Sequence, residues 1–221
     1  MNSPALILPR TMRVCRDLVV RGLAGALHFA LPERCPGCGR PADSASLLCE
    51  GCRSGIPRLA YAVCVRCLSR GQDPVACRAH QSFKVWPAWI YDERCAALVK
   101  AFKFADRTAL AEGLAGELAR VQPPGHFDLV MAVPLHAARR RERGYNQAAL
   151  LADALSARIG VPRLEGAIER VRFTPPQTLR GAGERRRNLR GAFQAVRPTW
   201  LAGRRVLLVD DVVTTGATLE A

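Results

Sequence analysis

Lysine is nearly missing from this chain. Lys84, Lys100 and Lys103 are the only three, so arginine supplies the rest of the 33 basic residues, which outnumber 19 acidic ones for a net charge of +14. A surface built on permanently charged guanidinium groups favours phosphate-rich partners, small or polymeric. Nucleotides, phosphorylated sugars and nucleic acid all stay open on that ground. Aromatic residues are also few, at 6%, which leaves single-stranded nucleic acid a sparse supply of stacking platforms. Long apolar runs are missing too. The stretch "LVVRGLAGALHFALP" is interrupted by Arg21, lacks a small-residue cleavage site and is too short to span a bilayer. Membrane insertion is not expected, and residues 13–31 read as an amphipathic helix packed on the body of the protein. No convincing internal repeat is present.

Cysteine, by contrast, is abundant and clustered. With no secretory signal ahead of them, the nine cysteines imply a cytoplasmic, reducing location, where such clusters usually hold metal. Eight ligand-type residues form four knuckles, "CPGC", "CEGC", "CVRC" and "CRAH": Cys35 and Cys38, Cys49 and Cys52, Cys64 and Cys67, Cys77 and His80. Each knuckle offers two ligands and a second knuckle completes a tetrahedral set. Structural zinc, in two sites, is the natural occupant, with an iron–sulfur cluster or a single metallated site as alternatives. All four positions of each site are filled by protein, so no open position remains for catalysis. Spacing alone does not decide the pairing. Sequential pairing is preferred, and a cross-braced pairing of first with third and second with fourth is the alternative. Cys15 and Cys95 lie in helical patterns and read as packed thiols.

The chain of 221 residues, 49% of them hydrophobic, is long enough for one medium core and a small accessory module. An N-terminal helix over residues 1–34, a double zinc-binding module over 35–80 and an α/β domain over 81–221 are expected. In the last of these "KVWPAWIYD" reads as extended, "DERCAALVKAFKF" and "RTALAEGLAGELARV" as helices, and "FDLVMAV" as a buried strand. Ala148, Leu151, Ala152, Leu155 and Ile159 recur at helical spacing behind "RGYN". Thr174 to Gly191 is polar, rich in Gly, Pro and Arg, and reads as a long exposed loop. "VLLV" has the continuous apolar character of a parallel strand covered on both faces. Alternating strands and helices point to an α/β fold with a mostly parallel sheet.

After "VLLV" come Asp210 and Asp211, then Thr214, Thr215, Gly216, Ala217 and Thr218. At the carboxyl end of a strand both carboxylates can lie at the mouth of the sheet, where open α/β folds bind ligands. The turn adds backbone N–H groups and three hydroxyls at a helix N-terminus, an anion cradle for a phosphate. Each feature alone has a plainer reading, an N-cap or an ordinary turn. Together, two adjacent carboxylates need something cationic or hydrogen-donating to meet them, and a ribose diol with a nearby Mg²⁺ would serve.

"VLLVDDVVTTGAT" resembles the phosphoribosyl-diphosphate (PRPP) motif of type I phosphoribosyltransferases. The cysteine knuckles, "AFKF", "AVPLHAARRRERGYNQA" and "TPPQTLRGAGERRRNLRGAF" narrow the likeness to the ComF family, named for its competence protein, over about Leu31 to Ala221. The resemblance implies a type I phosphoribosyltransferase-like parallel sheet flanked by helices, with an N-terminal zinc-knuckle module. It implies that Asp210 and Asp211 hold ribose hydroxyls and that Thr214 to Thr218 wrap the 5′-phosphate. Pro134, Leu135, His136 and Ala137, with a nearby arginine, would meet the diphosphate, and Thr174 to Asn188 would be a mobile flap; Lys103 would be a ligand contact or simply a capped helix end. His80 departs from the family, in which a fourth cysteine pair is commoner. Mg²⁺ would bridge the diphosphate oxygens, and the expected activity is transfer of a phosphoribosyl group to an acceptor that the sequence does not name. The competing expectation is a non-enzymatic accessory of DNA uptake that binds single-stranded DNA, or a PRPP sensor. Since such a sheet continues past the motif, Ala221 is expected to mark a truncated chain.

Overall fold

A computed structural model describes residues 34–42, 48–59, 62–64, 84–104, 110–174 and 182–221. The amphipathic helix expected over residues 13–31 lies outside them, as do Cys15, Cys67, Cys77 and His80. In chain order the elements are α1 Glu50–Gly55, β1 Val63–Cys64, β2 Lys84–Val85, α2 Glu93–Phe104, α3 Leu110–Val121 and β3 Leu129–Ala132. They continue with α4 Ala137–Arg143, α5 Gln147–Ile159, β4 Ile168–Arg170, α6 Ala182–Leu189, β5 Phe193–Ala195 and β6 Val206–Val209.

The strands β3 and β6 run parallel, with Leu129 beside Val206 and Ala132 beside Val209. On its other side β3 meets Arg163 through a parallel bridge. A strand with neighbours on both sides and helices above it must be apolar throughout, and Leu129, Val130 and Met131 are all buried. Helix α5 starts where the Asn146 side chain accepts the Ala148 N–H at 3.2 Å. Its predicted stripe is buried at Ala148, Leu151, Ala152 and Leu155, against β3 and against Leu110, Ala111 and Ala115 of α3. Small residues at Ala115 and Ala152 let the helices approach closely.

Three expectations need correction. "VLLV" is a strand, but Leu208 is 41% exposed. Among the described residues β6 pairs only with β3, and its open side lines a cavity of about 940 Å³ with α2, Trp86, Trp89 and Phe127. The loop expected over Thr174 to Gly191 contains α6, a helix favoured by its Ala, Glu, Arg and Leu residues despite Gly183 and Asn188, with no apolar stripe. It is held by charge, through Arg186, and hydrophobic periodicity does not register such a helix. Likewise only Lys84 and Val85 of the extended segment form a strand, pairing antiparallel with β1.

The first two cysteine knuckles and the α/β body share one hydrophobic cluster. Cys35, Leu48, Cys52 and Ile56 join Leu98 and Phe102 of α2 and Ala115 of α3 in it. Charge reinforces the junction at Glu117 of α3, which is 4% exposed. Its carboxylate meets Arg58 at 2.7 Å, Arg53 at 3.6 Å and Arg120 at 2.7 Å. Burial alone would push that carboxyl up, but the surrounding guanidinium groups outweigh it and hold the group below its ordinary value. Arg94 also donates to the Gly55 carbonyl at 2.7 Å, and the Ile90 N–H to Pro57 at 2.8 Å.

Candidate functional site

Parallel pairing carries past the ends of the two strands, because the Val133 N–H donates to the Val209 carbonyl at 2.9 Å. The loop Pro134–Ala137 and the pair Asp210–Asp211 therefore leave the sheet side by side, at the carboxyl ends of adjacent strands. Helix α2 brings Lys103 to the same place. Its ammonium lies 2.8 Å from Asp211 Oδ2, with both side chains largely buried. The corner "RGYN" holds these parts in place. Tyr145 donates its hydroxyl to the Phe102 carbonyl at 2.7 Å, beside Lys103, and Asn146 Nδ2 donates to the Val133 carbonyl at 3.1 Å. Sequence reasoning gave Tyr145 and Asn146 no such bracing role.

The two aspartates differ in kind. Asp211 has its counter-ion in Lys103. Asp210 Oδ1 accepts the Asp211 N–H at 2.9 Å, but burial, then the adjacent Asp211 charge, push its carboxyl up to about 7.

Beyond the pair the chain turns at Gly216, whose φ of +71° is left-handed and suits glycine. The Leu219 and Glu220 N–H groups donate to its carbonyl at 3.0 and 3.2 Å, so the helix expected there is present as a single turn. Ala217 is buried, while Thr214, Thr215 and Thr218 bracket it. Arg186 of α6 reaches this turn, donating to the Thr215 carbonyl at 3.2 Å and pairing with Glu220 at 2.9 Å. One guanidinium of the arginine-rich segment thus closes on the Thr-Gly turn. On the opposite flank His136 accepts the Ala138 N–H at 3.2 Å and stands edge-on to Phe173 at 5.3 Å. Arg139 lies 5.6 Å from the centre of the same ring.

The first two knuckles converge. The Sγ atoms of Cys35, Cys38, Cys49 and Cys52 all lie within 4.8 Å of one another, and those of Cys38 and Cys49 are 3.5 Å apart. A tetrahedral zinc with bonds of about 2.3 Å needs sulfurs roughly 3.8 Å apart. The donor set fits zinc, and it joins the first knuckle to the second in the sequential pairing. Gly37 makes room for it: a Cβ there would stand 3.1 Å from Cys52 Sγ. Arg40 points at two of the sulfurs, 3.4 Å from Cys38 and 3.7 Å from Cys49. Its hydrogen bond lowers the Cys38 thiol to about 6, whereas burial pushes Cys52 up to about 12. Of the second set, Cys64 is described and buried on β1. Cys95, as expected, is a packed thiol, raised to about 11 by burial.

Residues 26–81 match the double zinc ribbon domain. Competence protein F of Haemophilus influenzae is 36% identical over 188 residues, 78% of this chain and 81% of its own length. The chain belongs to the ComF family. DNA utilization protein YhgH of Escherichia coli O157:H7 is 32% identical to this ComF-family protein over 97% of the chain and 89% of its own length. Competence protein ComFC of Bacillus subtilis is 28% identical, over 84% and 68%. No solved structure matches it. Among the described residues, no helix of this ComF-family chain is long and apolar enough to cross a membrane.

Proposed function

We propose that this ComF-family protein binds PRPP at the tip of β3 and β6 and transfers its phosphoribosyl group to an acceptor, releasing diphosphate. The observation that carries the reading is the convergence of three parts on one sheet edge. They are an acidic pair with one carboxylate already matched by Lys103, the Pro134–Ala137 loop, and the Thr214–Thr218 turn. In this reading Asp210 and Asp211 accept the ribose hydroxyls, the turn wraps the 5′-phosphate, and the loop receives the diphosphate.

The carboxylates do not suit a divalent cation of their own, since Lys103 occupies Asp211 Oδ2 and Asp210 is reluctant to ionise. Any Mg²⁺ would come with PRPP as part of the substrate and would supply positive charge against the departing diphosphate. Displacement at the ribose C1 develops positive charge on the sugar and negative charge on the departing diphosphate, so this chain needs no nucleophile. Its residues hold the ring, exclude water and present fixed charge. Calorimetry with PRPP and Mg²⁺ is expected to give saturable binding at one site, and the absence of any heat up to millimolar ligand would overturn the proposal. Release of diphosphate on adding an acceptor distinguishes the enzyme from a PRPP sensor.

The relatives are named for competence and DNA utilization, which supports a role in DNA uptake, with DNA or uptake proteins as partners. A second reading, a single-stranded-DNA-binding accessory, is favoured by Trp200. The residue is 41% exposed and its ring centre lies 4.2 Å from the Arg197 guanidinium, a combination suited to a base. A gel-shift titration of an oligothymidylate at low salt should show binding that Trp200→Ala weakens by about tenfold; no shift at any protein concentration removes this reading.

A further inference from the structure

Four thiolates drawn together around one metal ion repel one another, and their surplus of negative charge has to be met from outside the coordination sphere. The cysteines of the first two knuckles are not equally placed for that. Cys35 and Cys52 are buried in the hydrophobic cluster, and the Cys35 sulfur accepts the Cys49 N–H at 3.4 Å. Cys49 is half-buried and Cys38 is exposed, so their sulfurs form the water-facing side of the site. Arg40 stands over that side. Its Nε donates to Cys38 at 3.4 Å and its Nη2 to Cys49 at 3.7 Å, so one guanidinium spans both knuckles. Two further observations show that the surroundings are shaped for it. The Arg40 carbonyl accepts the Cys35 N–H at 2.8 Å, which closes the turn of the first knuckle and fixes where the side chain starts. Position 51, in "CEGC", is a glycine, and a Cβ there would stand 3.0 Å from Arg40 Nη2. Gly51 lies inside α1 without a positive φ, so its backbone does not demand glycine, and alanine would favour the helix. Room for the guanidinium is what the glycine provides. Among the described residues no carboxylate pairs with Arg40, which leaves the sulfurs as its anions.

We propose that Arg40 is a positioning residue of this metal site: it holds the Cys38 and Cys49 thiolates together on the open side and so slows the loss of zinc. A metal leaves such a site by detachment of one thiolate, through protonation or a competing ligand, and an exposed sulfur is reached before a buried one. A charge-assisted hydrogen bond into the sulfur lone pairs opposes that step. Because the fork reaches ligands of both knuckles, a sulfur that detaches is kept beside its partner and rebinds. Lysine would supply the charge as a point, without the rigid pair of donors. The assignment is independent of what binds at the sheet edge.

The test uses the full chain loaded with zinc and follows transfer of the metal to an excess of a chelator that changes colour on binding it. Arg40→Gln is expected to release zinc at least about fivefold faster than wild type in at least one phase, and Arg40→Lys to fall between the two. Cobalt supplies a readout that a merely structural role would not move. In the Co²⁺-loaded protein a hydrogen bond lowers the energy of the ligand sulfur's lone pairs. Arg40→Gln should therefore shift the sulfur-to-cobalt charge-transfer absorption to longer wavelength, while the cobalt ion's own bands keep their tetrahedral pattern. Zinc release at the wild-type rate, or a charge-transfer absorption that stays in place, overturns the proposal. A Lys variant indistinguishable from wild type would show that charge alone acts, and would overturn the two-sulfur contact. Circular dichroism checks that the loaded Gln variant folds. Should it not, Arg40→Lys carries the test: release at least about twofold faster and an absorption displaced in the same direction are expected, and wild-type behaviour in either contradicts the assignment.

Discussion

Asp210→Asn is expected to stabilise the protein at neutral pH and, in the same variant, to weaken PRPP binding by at least about tenfold. The stability half follows from the raised carboxyl. An unfolded aspartate loses its proton near 3.8, whereas Asp210 in the fold keeps it to about 7. Between those values the folded state holds one proton more than the unfolded state, so stability falls as pH rises across the window and levels off above it. An amide has no such proton to lose. Wild type and variant should therefore melt alike near pH 4 and diverge by pH 8, on the order of a few kcal/mol in favour of the variant. At this chain length that is roughly 5 °C or more in Tm. The binding half follows from what an amide cannot do, since the ionised carboxylate accepts hydrogen bonds from ribose hydroxyls through both oxygens. Wild-type affinity for PRPP should also rise with pH through about 7. A variant no more stable than wild type at pH 8 would show that Asp210 is not held against its ionisation. A variant that is more stable and binds PRPP undiminished would remove Asp210 from the ligand.

That two-sided behaviour was only half legible in the sequence. Adjacency at a strand end announced Asp210 and Asp211 as a pair, and the Thr-Gly sequence announced the turn beyond them. Periods of 3.6 and unbroken apolar runs marked α3, α5 and β3, because those elements are formed by burying one face. What the sequence could not convey is which partner each aspartate meets. Lys103 reaches Asp211 from a helix more than a hundred positions earlier, and only the packing of α2 beside the sheet makes them neighbours. Helix α6 escaped because a helix tethered by Arg186 to Glu220 and Thr215 leaves no hydrophobic rhythm to detect. Leu208 was misjudged because an apolar strand reads the same whether one side is covered or both.

Removing zinc is expected to unfold more than the ribbon. Replacing Cys35 and Cys52 by serine, or extracting metal with a chelator, should lower the Tm of the whole chain by about 10 °C or more in one cooperative transition. The reasoning is one of shared packing. Cys35 and Cys52 are buried in the same cluster as Leu98 and Phe102, so loosening the four thiolates opens a wall of the core on which α2 rests. Structural zinc contributes on the order of 10 kcal/mol or more to peptides that fold around it, comparable to the whole stability of a domain. The Glu117 contacts to Arg53 and Arg58 are too exposed on the arginine side to hold the junction alone. The disturbance should also reach the sheet edge, because α2 ends in Lys103, and a shift of that helix separates the ammonium from Asp211. Metal-depleted protein that remains folded at low temperature is therefore expected to bind PRPP more weakly, although none of the four converging cysteines lies at the acidic tip. Calorimetric scanning with and without chelator decides the first point. A body that melts at an unchanged temperature after metal loss would mean that the ribbon is an independent appendage, and unchanged PRPP affinity would mean that Lys103 is held by the sheet rather than by the core that zinc completes.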